Sequence, residues 1–197
     1  MGDIFTDENN QYQIDCTDAI WASDDINNQY HTANCHLSDV DWVIETSDKI
    51  YLVEYKNANI KDAVNPNAFN PKDDKKIKNV ADKFYDSLHY LSLNGKVKPK
   101  EYIYILEYPL GDKVSRGMIR NKIAEILPFK LQKNIGNGNK LIEKVSVLSI
   151  DEWNEDENYG RFPLKPVKKI YPPVSYVRIY IGYWWVLCKI LKVKEFI

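Results

Sequence analysis

The sequence predicts an α/β protein in which a mixed β-sheet is flanked by helices. Three observations carry this expectation. Two adjacent runs, 40–46 and 49–57, are rich in β-branched and aromatic residues and read as strands. Ile77, Val80, Ala81, Phe84, Leu88 and Leu91 recur at three- and four-residue steps, the single apolar stripe of a long amphipathic helix. A strand, a helix and a strand then follow, which completes the alternation of a layered α/β domain.

In order along the chain, residues 1–38 are polar and rich in Asp, Asn and Gln, and they read as loop with one strand or short helix among them. The two strand runs meet at Ser47-Asp48, and a loop punctuated by Asn and Pro covers 58–70. The long helix is expected to start at Asn70 as N-cap with Pro71 in its first position, and Asp73 and Asp74 suit the positive end of its dipole. Asn94-Gly95 closes it as a C-cap. Residues 101–108 read as a strand closed by Pro109, and 114–127 as a second amphipathic helix stopped by Pro128. A turn-rich segment holding Gly136 and Gly138 leads to a strand at 144–150 and a short acidic helix at 151–156.

The main domain is expected over 1–169, with 170–197 as an aromatic extension that holds Tyr171, Tyr176, Tyr180, Tyr183, Trp184, Trp185 and Phe196. Only ten uncharged residues separate Arg178 from Lys189, too few to cross a bilayer, so no membrane span is expected. Core packing or a homodimer contact is the favoured use of the tail over interfacial membrane binding, since Tyr and Trp are common at protein interfaces.

With 197 residues the chain suits one domain with a proper core. Its 44% hydrophobic and 28% charged residues argue against intrinsic disorder. The net charge of −1 excludes binding of nucleic acid by global positive charge, and leaves room for an enzyme that meets phosphates through a local basic patch. Cys16, Cys35 and Cys188 lack C-x-x-C spacing and complete no zinc site; scattered thiols and an acidic N-terminus without a signal-peptide pattern point to the cytoplasm. No G-x-S-x-G and no Gly-rich phosphate loop occurs, which disfavours serine hydrolysis and ATP use.

The chemistry concentrates in the hairpin. Alternate residues of a strand share a face, so Glu54 and Lys56 project together, as do Asp39 and Asp41. With Ser47-Asp48 at the tip, Asp41 falls opposite Glu54 and Asp39 opposite Lys56, with Cβ atoms about 4.5–5.5 Å apart. A slip of one residue would send each pair to opposite faces. Two facing carboxylates repel unless a proton or a cation lies between them. Hard oxygen ligands beside an amine suit Mg²⁺ or Mn²⁺, and Lys56 supplies a fixed positive charge for a phosphate or an attacking water. The plain structural alternative is a solvated Glu-x-Lys pair and a surface Asp39–Lys56 ion pair.

The run Asp41-Trp-Val-Ile followed by Ile50-Tyr-Leu-Val-Glu54-Tyr-Lys56 resembles the PD-(D/E)XK nuclease superfamily, which includes many restriction endonucleases and archaeal Holliday junction resolvases. The resemblance implies a restriction endonuclease-like core and a metal-dependent nuclease acting on nucleic acid, DNA above RNA. It implies Asp41 and Glu54 as metal ligands, the Tyr55 backbone carbonyl as a further ligand, and Lys56 as the catalytic lysine. Val40 stands where the motif has Pro. Asp39 rivals Asp41, and Glu8 and Asp18 are candidates for an additional acidic ligand.

On the long helix, Lys72, Lys76 and Lys83 share one flank of the apolar stripe, where Lys76 and Lys83 are candidates to meet phosphates. A solvated helix face is the competing reading of this row. His31 and His36 precede the hairpin and His89 lies off the stripe; none is assigned a catalytic role. A different class of function, a binding or assembly module on the same fold, needs no divalent cation, whereas the nuclease does.

Overall fold

The computed structural model of the chain describes residues 3–59, 69–109 and 111–168. A first compact unit runs Met1–Pro166; the aromatic extension at 170–197 and most of the loop expected over 58–70 lie outside the described residues.

The elements are β1 (Ile4–Thr6), β2 (Tyr12–Asp15), β3 (Trp21–Ser23), α1 (Ile26–Thr32), β4 (Trp42–Glu45), β5 (Ile50–Asn57), α2 (Asp74–Leu93), β6 (Lys100–Glu107), α3 (Lys113–Ile126), α4 (Phe129–Ile135), β7 (Lys144–Leu148), α5 (Ile150–Glu155), a 3₁₀ turn (Tyr159–Arg161) and β8 (Leu164–Pro166). A mixed sheet of five strands has the order β3-β4-β5-β6-β7. Its β3–β4 and β4–β5 pairs are antiparallel, and β5–β6 and β6–β7 are parallel. β5 is the middle strand and lies at the switch between the two senses. It is buried along Ile50–Tyr55, which explains why it reads as a nearly unbroken apolar run rather than an alternating one.

Alternation along the strands sends side chains into two cores. Val43, Ile50, Leu52, Tyr102, Tyr104 and Leu106 pack against Ile26 and Tyr30 of α1, the apolar stripe of α2, and Ile119 and Ile123 of α3. Trp42, Ile44, Tyr51, Val53, Ile103 and Ile105 pack on the opposite face against Ile14, Trp153, Phe162 and Leu164. That second layer is a small sheet, β1-β2-β8, together with α5. The mixed α/β sheet flanked by helices is therefore present, with a three-stranded sheet completing one of its faces.

Several expectations are corrected. Residues 1–38 carry three strands and a helix rather than a loop with one element. The long helix begins at Asp74, not Pro71: the Asp73 carboxylate accepts from the Lys75 and Lys76 amides, while Asn70 accepts from Lys72 N and caps only a turn. Its end is as expected, with Asn94 as C-cap and Gly95 at φ +66°. The turn-rich segment after Pro128 contains the helix α4. Among the described residues, no helix is long and apolar enough to cross a membrane.

Candidate active site

A four-residue turn sets the hairpin register. The Thr46 amide donates to Lys49 O at 2.8 Å, and the Lys49 amide donates to Thr46 Oγ1 at 3.0 Å. Trp42 then pairs with Val53, Val43 with Leu52, Ile44 with Tyr51 and Glu45 with Ile50. Continued by one residue, this register sets Asp41 opposite Glu54, both on the face that packs against α2.

Asp41 stands just before β4, and its position is fixed from both sides. The Tyr55 amide donates to Asp41 Oδ2 at 2.6 Å. Behind it, the Val40 amide donates to the buried Ser87 hydroxyl at 3.1 Å, and the Ser38 amide donates to the Asp86 carboxylate at 2.9 Å. The Tyr30 hydroxyl donates to Asp86 O at 2.6 Å, which ties α1 to the same stretch of α2. Glu54, only 7% exposed, receives the Lys83 ammonium on both carboxylate oxygens at 2.8 Å each.

Burial, and then the neighbouring Asp41 carboxylate, push Glu54 well above its ordinary pKa. Burial likewise raises Asp41, with Lys83 pulling in the opposite direction. For Lys83, burial works against the charged form, but Glu54 and Asp41 outweigh it and the amine is held above its usual value. Both carboxyls are shifted upward, first by burial, and the one ammonium beside them opposes that shift without cancelling it. The trio is thus short of positive charge.

Asp41 and Lys83 open onto a cleft of about 390 Å³, to which Asp7, Glu8, Asp24 and Asp39 also contribute. Five carboxylates face one ammonium there. Asp7 is 6% exposed; its Oδ1 accepts from the Gln11 and Tyr12 amides at 2.7 Å each, closing the β1–β2 turn. Its Oδ2 is buried without a hydrogen-bond partner, the one such side-chain atom among the described residues.

Of the residues singled out in the sequence, Asp41 and Glu54 come together, and Asp39 and Glu8 line the same cleft. Asp39 precedes β4; its Oδ1 accepts from Asn27 Nδ2 at 3.0 Å, and it forms no ion pair with Lys56. The Lys56 side chain is 45% exposed, with Nζ 3.9 Å from Glu8 Oε1, and borders a small adjoining cavity of about 20 Å³ with Asp41 and Tyr55. The Lys76 ammonium lies over the Phe69 ring, 4.3 Å from its centroid, rather than in the cleft. Asp18 is exposed in a turn away from the cleft lining, and His31, His36 and His89 are exposed.

Sequence reasoning missed Asp7 and Asp24 in the cleft, and the pairing of Lys83 with Glu54. The first had a usable signal: Asp7-Glu8-Asn9-Asn10 separates two short β-prone runs, and Asn10 adopts φ 52°, a conformation that Asn tolerates in turns.

Among the described residues, no group of three or more His, Cys, Asp or Glu side chains is arranged to hold a metal ion. A Mg²⁺-like ion does not require one, because it keeps several waters and is bound through one or two carboxylates. The donors present fit that mode: two adjacent carboxylates deficient in positive charge, in a cleft whose Asp7 carries an unpartnered oxygen. The Tyr55 carbonyl lies on the Asp41 side of β5, since an extended residue directs its N–H and C=O to the same neighbour. Compared with protein-family models, curated proteins and solved structures, the chain matches none.

Proposed function

We propose that this chain is a metal-dependent nuclease of the PD-(D/E)XK type, on a restriction endonuclease-like fold, that hydrolyses phosphodiester bonds with DNA as the favoured substrate. One observation carries the reading. Asp41 and Glu54 are held side by side where the sheet changes from antiparallel to parallel pairing, beside an acidic cleft whose charge a bound cation would offset.

Asp41 and Glu54, with the Tyr55 carbonyl, would hold Mg²⁺ or Mn²⁺. Such an ion lowers the pKa of a bound water and offsets charge on a phosphoryl oxygen. The chain's own residues do the rest. The Tyr55 amide fixes the Asp41 carboxylate, the Ser87 hydroxyl fixes the backbone behind it, and burial keeps Glu54 from wandering into solvent. Lys83 supplies an ammonium in the wall of the cleft, and Lys56 supplies a second one at the adjoining small cavity beside Asp41. Scattered cysteines support a cytoplasmic setting, and the aromatic extension supports a homodimer contact.

A second reading, a binding or assembly module on the same fold, is favoured by one observation: Lys83 already occupies both oxygens of Glu54. Supercoiled plasmid and single-stranded DNA incubated with the protein in Mg²⁺, Mn²⁺ or EDTA, beside Asp41→Ala and Glu54→Ala, separate the two. The nuclease cuts only with metal and loses cutting in both variants. Cutting that survives in Glu54→Ala refutes the assignment of the site. No cutting together with no Mn²⁺ binding by calorimetry refutes the nuclease and favours the module.

A further inference from the structure

Two lysines flank the acidic pair, and the motif resemblance assigns the work to Lys56. The geometry distributes them otherwise, and we propose that Lys83 is the ammonium that contacts the reacting phosphate while holding Glu54 in place. The proposal rests on the nuclease reading and deepens it by naming which lysine serves the substrate.

Lys83 reaches the site from the middle of α2, more than two turns from either end, so its stem is carried by a rigid element rather than a strand end. Its side chain is 30% exposed and lines the large cleft beside Asp41. A lysine ammonium carries three N–H donors in fixed tetrahedral array. Two serve Glu54 Oε1 and Oε2 at 2.8 Å, and no acceptor among the described residues takes the third. An ammonium with two donors anchored and one left over, in the wall of the cleft beside the acidic pair, is prepared for a phosphate oxygen. The anchoring also means that little side-chain freedom is lost when that oxygen arrives.

Lys56 lacks these features. It shares the sheet face with Glu54, but its Nζ stands 3.9 Å from Glu8 Oε1, beyond hydrogen-bond range, and it borders the adjoining cavity of about 20 Å³ rather than the large cleft. Its side chain is also the more exposed of the two, 45% against 30%, and an exposed ammonium is more strongly screened by water.

The test measures plasmid cleavage at saturating Mn²⁺ and Mn²⁺ affinity by calorimetry for Lys83→Met, Lys83→Gln, Lys83→Arg and Lys56→Met. Both neutral Lys83 variants are expected to bind Mn²⁺ with wild-type stoichiometry yet cut about 100-fold or more slowly, the usual cost of removing one donor aimed at transition-state charge. Lys83→Arg is expected to recover activity to within about tenfold of wild type, because it restores the charge and both bonds to Glu54. A Lys83→Met protein that cuts within about threefold of wild type overturns the proposal. So does loss of fold in both neutral Lys83 variants, which would mark a purely structural lysine. Wild-type protein that cuts nothing in any metal overturns the nuclease reading itself, whereas active wild type with active Lys83→Met overturns only the choice of lysine.

Discussion

Replacing Ser87 by Ala tests how the site is held. Ser87 is fully buried in α2, and its hydroxyl accepts the Val40 amide at 3.1 Å, one residue before Asp41. Val40 is 1% exposed, so no water replaces the lost acceptor. An unsatisfied buried amide costs about 1–3 kcal/mol, and the better helix propensity of Ala returns about 0.5 kcal/mol. The net loss is about 1.5 kcal/mol, which for a domain of this size lowers Tm by about 3–6 °C. Equilibrium urea unfolding should show a lower midpoint at unchanged m-value, the signature of lost stability without a change in the denatured state. Ser92→Ala on the exposed end of the same helix is the control: there only the propensity term applies, and that protein should be slightly more stable than wild type. The freed Val40 also loosens Asp41, so Mn²⁺ affinity should fall in Ser87→Ala and hold in Ser92→Ala. Equal stability of the two variants would refute the reasoning.

Two further outcomes follow from other parts of the molecule. Glu45 is 7% exposed and is held below its usual pKa of 4.5, first by its hydrogen bonds to Lys96 and Lys98. A depressed carboxyl contributes stability that is fully present above its unfolded value and is lost as pH falls through the folded one. Wild type should therefore exceed Glu45→Gln in urea midpoint at pH 6, with the gap closing as pH drops below 4.5; a gap that is constant with pH would refute the ion-pair account. At the end of α2, Gly95 has φ +66° and a Cβ there would touch nothing within 4 Å. Gly95→Ala should thus show the backbone cost alone, about 1 kcal/mol, and a substantially larger loss in urea unfolding would mean that packing is involved after all.

The hairpin was legible because its information is local. Two neighbouring β-prone runs joined by a short polar tip specify the register, the two-residue period of a strand then fixes the face, and Asp41 and Glu54 meet through nothing more distant than a turn. The N-terminal strands were not legible for the opposite reason. β1 and β3 have three residues each and β2 four, too few to display a period of two, and β2 finds its second partner in β8, where Ile14 pairs with Leu164. At the start of α2 the local signals were degenerate, since Asn70 and Asp73 both cap backbone amides and only one of them starts the helix. α4 has no buried residue and hence no stripe to read. Lys83 could be placed on a helix flank by periodicity, but its partner lies 29 residues upstream on another element, and no local pattern encodes that meeting.

The turn at Thr46 to Lys49 also makes the meeting of the acidic pair a local matter and that of its ammonium a distant one. β4 and β5 are neighbours in sequence, so they close with a small loss of loop entropy and are synthesised before any residue of α2. During that interval Asp41 and Glu54 face each other without their ammonium, and the apolar cross-strand pairs, Val43 with Leu52 and Ile44 with Tyr51, must hold the ladder against their repulsion. Lys83 arrives only when α2 docks, and with it come the Ser87 bond to Val40 and the Asp86 bond to Ser38. The ion-paired centre therefore exists only where helix and sheet have become one body.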